Sequence, residues 1–266
     1  MRRNIYDILN SNKINIKKEY SRLFELFYQR KFESGYGNTT IYILVKNYFT
    51  HLNRCLIRRC ISIEDFDETY MYNFDEFPKD ITIDYFIDFC EYTYNFSHYL
   101  LLLGHFYTDY IRSFMINIKE CVEEIGYGLY YKEGIYYITV KSAESVAVAE
   151  IVPEKISFSV LEYNHHKMKG DLTSKKAILL EFANELEPKK KKLSSINSRL
   201  TDTLFQSLNK FIRHNNDENE FIANMSTEEL ENTYDDIYQL WLLAILEIDN
   251  VERKQKMKDL LKKVNG

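Results

Sequence analysis

Glycine and proline are scarce in this 266-residue chain, with 8 and 3 copies. That scarcity argues against a turn-rich β-sandwich and for long, uninterrupted helices. The four cysteines, Cys55, Cys60, Cys90 and Cys121, sit on apolar-rich segments with no CxxC spacing. They read as reduced core thiols of a cytosolic protein rather than a disulfide framework or a zinc site. No phosphate-loop, triad or metal-ligand signature is present, so neither a metal nor a small-molecule cofactor is expected. The most apolar run, Tyr99 to Phe106, is far too short to span a bilayer, and Met1 to Asp7 lacks an apolar signal core. A soluble, cytoplasmic protein with no membrane partner is expected. Nor is there a basic excess. The net charge is -5 and the pI is near 5.8, so no global field draws the chain to nucleic acid.

What is abundant is apolar and aromatic. Hydrophobic residues make up 45% of the chain, enough for a sizeable core, and 22 Tyr and 17 Phe accompany a single Trp. Tyrosine suits half-buried helix faces, because the ring packs while the hydroxyl reaches water or a partner. Abundant Asn, Ile, Lys and Tyr also fit an AT-rich coding bias, which carries no functional message. The aromatic load exceeds what one small bundle needs, which points to self-association or to a protein partner.

The spacing predicts a mainly α protein, with one or more helical bundles and a small central β-hairpin or meander. Three segments are expected: an N-terminal helical region over 1–125, a β element over 126–152, and a C-terminal bundle over 153–266. Residues 1–33 show helical spacing, and a second helix is predicted from Thr40 to about Arg59. The acidic, aromatic stretch from Ser62 to Asp80 reads as loop with short structure. From Phe96 to Ile125 apolar residues recur every three or four positions, which predicts one long helix. His98 and His105 lie near one face of it. With no carboxylate pair nearby, they read as packed or exposed rather than as ligands.

The period then changes. Leu129 to Val140 reads as a hairpin with Glu133-Gly134 at its turn. Ser142 to Val152 stays ambiguous between strand and helix. Pro153 opens a helix, Asp171 caps another that Pro188 ends, and Ser194 or Ser195 is the candidate cap of the next. The lysine block from Lys189 to Lys192 reads as a solvated linker, with phosphate contact as the alternative. Ser226 and Glu229 form a capping box for a helix through Ile248, and a short charged helix, Val251 to Val264, follows. A packed core is expected around Leu179, Phe182, Leu204, Phe205, Leu208, Ile237, Leu240, Trp241 and Ile245. His165-His166, adjacent at a helix end, is a poor geometry for chelating one metal.

The densest polar cluster closes an amphipathic run at Leu208 to Asp217. Read from its residues alone, Arg213 and His214 in a helix's last turn complement its dipole, and Asn just beyond readily ends a helix. Set between two patterned helices, the same cluster can also line a site. The string Leu208-Asn209, Ile212-Arg213-His214-Asn215-Asn216, with Leu186 to Lys189 upstream, resembles abortive-infection-like proteins of the HEPN superfamily. The resemblance covers Asp171 to Val264. Many members of that superfamily are ribonucleases of toxin and phage-defence systems. Their hallmark is an Arg, then Asn, Asp or His, then a later His, at the junction of two core helices.

The resemblance implies metal-independent RNA cleavage, with Arg213 and His214 catalytic and Asn209, Asn215 and Asn216 contacting substrate. RNA and a protein partner or second copy are the partners it implies. A metal-free ribonuclease needs a base for the ribose hydroxyl and a cation for the phosphorane. The later His has no counterpart between Asn215 and Ile222. The alternative is a non-catalytic HEPN-like module that binds a protein or RNA partner as a regulatory or scaffold subunit.

Overall fold

The computed structural model describes residues 14–34, 37–52, 54–74, 77–104, 108–214 and 220–265. It divides into two compact units, Met1–Val140 and Lys141–Gly266. Both are built mainly from helices, with two two-stranded antiparallel sheets among the described residues.

In the first unit, Asn15 accepts from the Lys18 amide and starts α1 (Ile16–Phe24), which runs on as a π-helical turn, Glu25–Gln29. A minimal sheet follows, β1 (Phe32–Glu33) with β2 (Asn38–Thr39). The helix expected from Thr40 to Arg59 is in fact three pieces. Thr40 caps α2 (Ile41–Tyr48), a 3-10 turn spans Phe49–His51, and α3 is the single turn Arg54–Ile57. Arg58 and Arg59 then take positive φ, which ends the helix. The expected loop after Ser62 contains α4 (Ile63–Tyr70), because the Ser62 hydroxyl accepts from the Asp65 amide and supplies the cap.

The long helix expected from Phe96 to Ile125 is two. Thr82 caps α5 (Ile83–Leu103), and Gly104 at φ 69° closes it in the left-handed conformation that glycine adopts without strain. The second is α6 (Thr108–Glu124). β3 (Tyr127–Lys132) and β4 (Ile135–Val140) form the expected hairpin. Glu133 and Gly134 both have positive φ, the geometry of a tight turn matched to strand twist. The core is aromatic: Tyr20, Phe27, Phe49, Phe86, Phe89, Phe96 and Phe114 are almost fully buried. Two polar side chains of α5 hold the hairpin against it. Asn95 accepts from the Tyr136 amide and donates to its carbonyl, both at 2.8 Å, and Glu91 accepts from the Ile138 amide at 2.7 Å.

In the second unit the ambiguous segment is helical: Ser142 caps α7 (Ala143–Ala149). Pro153 opens α8 (Glu154–Glu162) and Asp171 caps α9 (Leu172–Leu186), as the sequence predicts. The lysine block is not a linker. A 3-10 turn, Glu187–Lys189, leads straight into α10 (Lys190–Ile196). Lysine favours helix, and these side chains have partners: Lys189 pairs with Glu185, Lys192 with Glu252, and Lys190 sits 4.5 Å over the Phe205 ring. Asn197, rather than Ser194 or Ser195, caps α11 (Ser198–Ser207).

A second π-helical turn, Leu208–Arg213, continues it, and α12 is the short Glu220–Ala223. The Ser226–Glu229 capping box forms reciprocally and starts α13 (Thr227–Asn265). The expected separate last helix is the continuation of α13, since nothing between Ile248 and Val251 breaks it. The expected core is buried throughout except for Leu240, which is partly buried. Trp241 stacks on Phe182 at 4.1 Å and donates to the Phe182 carbonyl at 3.0 Å.

Candidate functional site

The sequence-predicted site lies at the end of the second π-helical turn. Such a turn holds one more residue than an α-helical one, and π-bulges occur often at functional positions. Here the His214 amide reaches back to the Asn209 carbonyl at 3.3 Å, and His214 leaves the helix in extended conformation. The turn aims Arg213 at α9. Its guanidinium donates to Asn209 Oδ1 at 3.1 Å and to the Ala183 carbonyl at 3.4 Å, and it pairs with the Glu187 carboxylate. The Arg213 side chain is 27% exposed. Thus Arg213 and Asn209 come together, but on a carboxylate of their own chain. His214 is exposed, and its carbonyl accepts from Lys176 Nζ at 3.2 Å. Asn215 and Asn216 lie outside the described residues.

Glu187 belongs to the upstream string that carried the resemblance, yet its pairing across 26 residues has no local signal. Chemically the arrangement is a clamp. A charge-assisted pair with two further hydrogen bonds fixes the guanidinium and offsets its charge. A phosphate would have to displace Glu187 to use the same donors.

A second constellation surrounds the buried Lys175. Its ammonium lies 2.8 Å from Glu231 and 2.7 Å from Asp235, and 5.2 Å from the centre of the Tyr163 ring. The Tyr163 hydroxyl donates to Asp235 at 3.0 Å, and the Gly170 amide donates to Glu231 at 2.8 Å. Burial opposes ionisation of Glu231, but the Lys175 ammonium and the Gly170 amide outweigh it and hold the carboxyl below its ordinary range. Burial and the neighbouring Asp235 raise the Tyr163 phenol. The available signal was a lysine on the apolar stripe of α9, four before Leu179 and three after Leu172. Beside it, Tyr238 exchanges a hydrogen bond with Ser145 at 2.8 Å, accepts from Asn164 at 3.0 Å and donates to the Val160 carbonyl at 2.7 Å. Satisfied buried networks of this kind specify one packing arrangement.

The histidines expected to be packed or exposed are so where described. His98 lies against the Tyr136 ring at 4.9 Å, and burial lowers its pKa; His105 lies outside the described residues. His165 is buried and accepts from the Lys167 amide at 3.3 Å, so it caps a 3-10 turn. Among the described residues no three His, Cys, Asp or Glu side chains are grouped to hold a metal ion, and no helix is long and apolar enough to cross a membrane. Cys60, Cys90 and Cys121 are buried, whereas Cys55 is exposed, unlike the core position expected of it. Comparison with protein-family models, curated proteins and solved structures returns no match to this chain.

Proposed function

We propose that the second unit is a non-catalytic, HEPN-like helical module that acts by binding a partner, as a regulatory or scaffold subunit. The observation that supports this is the engagement of Arg213 by Glu187, Asn209 and the Ala183 carbonyl. A transition-state cation must be held ready for the charge that develops on the phosphorane. Here a carboxylate already occupies it, and His214, the next residue, is exposed and extended. Arg213 then contributes to the junction of α9 with the π-helical turn rather than to chemistry.

The competing reading is a metal-independent ribonuclease. It is favoured by the adjacency of His214 in the chain to an arginine that keeps 27% of its side-chain surface exposed. One experiment separates the two. Purified protein is incubated with RNA in the presence of a chelator, beside Arg213→Ala and His214→Ala variants whose unfolding is measured in parallel. A binding module gives no cleavage above background, and Arg213→Ala lowers stability by about 0.5–1 kcal/mol, as expected for a largely exposed charged pair. Cleavage by the wild type that disappears in Arg213→Ala without a stability change would overturn the binding-module reading.

A further inference from the structure

Helix α13 changes sides. From Tyr234 to Ile248 its buried residues, Tyr234, Ile237, Trp241, Ala244, Ile245 and Ile248, share one face and pack into the bundle. At about 100° per residue, Met257, Leu260, Leu261 and Val264 fall on the opposite face, in line with exposed Leu243. Every residue described from Asn250 to Val264 is exposed, over a helical length of about 20 Å. The apolar stripe of this last part therefore cannot serve the bundle that the first part packs against.

Two features identify what covers it. The first is spacing. Leu243, Leu246, Asn250, Arg253, Met257, Leu260 and Val264 follow in alternating steps of three and four, the heptad pattern of a two-helix seam, with Asn250 and Arg253 as a polar middle. The second is charge. From Tyr238 to Asp249 the helix holds two acidic residues and no basic one, whereas Asn250 to Asn265 holds six basic and two acidic. Dipole complementarity fades within the first and last turns, so it cannot account for a division in the middle of the helix.

We infer that α13 pairs in antiparallel fashion with α13 of a second copy of this chain, about a two-fold axis between Asn250 and Arg253. That arrangement sets Leu243 against Leu260 of the partner subunit, and the exposed part of Leu246, which also packs against its own core, against Met257 of the partner subunit. Asn250 then meets Arg253 of the partner subunit, so the polar residues face each other. The basic segment of each helix then lies beside Glu247 and Asp249 of the partner subunit, and the seam is isologous and closed. A parallel pair would stack arginine on arginine and bring the two basic segments together. An anionic membrane surface suits the helix less well. No aromatic residue follows Trp241, although Trp and Phe are common on interfacial helices, and the acidic residues would be repelled. This inference rests on the binding-module reading for its partner role, and it names the partner.

Sedimentation velocity of the full chain at micromolar concentration tests it. A dimer of twice 31.9 kDa is expected, weakening as salt screens the paired charges. Leu260→Asp, at an exposed position, keeps the circular dichroism of the wild type and raises the dimer dissociation constant by about a hundredfold. In a Cys55→Ser background, Leu243→Cys and Leu260→Cys chains cross-link when mixed, and neither cross-links alone. Four results would overturn the inference: a monomeric wild type, a dimer indifferent to Leu260→Asp, self-cross-linking of either single-cysteine chain, or a monomer that binds phosphatidylserine vesicles. The RNA assay keeps the two readings apart. A monomer that leaves RNA intact refutes the pairing alone, whereas a monomer with Arg213-dependent cleavage refutes both.

Discussion

Replacing Lys175 with methionine keeps its methylene packing and deletes one charge from a nearly sealed site. The Lys175 side chain is 6% exposed, and both its carboxylate partners lie within 2.8 Å. Removing one member of a buried ionic set strands the others, at a cost of roughly 3–5 kcal/mol. The Asp235 side chain is 47% exposed, so water takes over part of its solvation, and the expected loss is about 3 kcal/mol. The pH dependence is a second signature. In the wild type the folded-state pKa of Glu231 lies below its unfolded value. Its contribution is therefore complete above the unfolded pKa of about 4.3 and lost as pH falls through the folded value. Without Lys175, burial raises the Glu231 pKa, so the variant's deficit shrinks as pH drops from neutral towards 4. Trp241 is the single tryptophan and sits in the core of this unit, so its fluorescence during urea unfolding reports this unit. A loss under about 1 kcal/mol at neutral pH, with an unchanged pH profile, would show that the network does not hold the unit together.

Two further outcomes concern the first unit. Asn95→Leu leaves the Tyr136 amide and carbonyl without their 2.8 Å partners, and should cost about 2 kcal/mol. The loss should appear as faster hydrogen exchange in β4, and unchanged exchange there would refute a clamping role. Gly104→Ala puts a Cβ on a residue at φ 69° with no atom within 4 Å of it. The penalty is then backbone strain alone, about 1 kcal/mol, and a melting temperature equal to the wild type would contradict the cap assignment.

The local signals were read well where a side chain caps its own helix. Asp171, Pro153 and the Ser226–Glu229 box all sit where their chemistry places them. The break at Gly104 was hidden because apolar spacing continues through it, from Leu100 and Leu103 to Tyr110 and Ile111, and periodicity does not register a change of direction. The lysine block is largely exposed, as its charge suggests, but it is helix and not linker. Lysine favours helix, and Lys190 and Lys192 are held by Phe205 and Glu252. Arg213 was legible as a motif, but its occupation by Glu187 was not, since nothing local encodes a contact 26 residues away. The Lys175, Glu231 and Asp235 set spans up to 60 residues and was legible only as one lysine out of place on an apolar stripe.

The π-helical turn at Leu208–Arg213 also bears on how such a clamp can arise or vanish. A turn of this kind is an α-helix with one residue inserted. Were the same six residues to wind as ordinary α-helix, Arg213 would swing by roughly 100° around the axis, away from Glu187 and the Ala183 carbonyl. The buried side chains before the turn would stay in register. The choice between five-residue and four-residue hydrogen bonds thus decides whether this helix end is locked to α9 or its arginine points elsewhere.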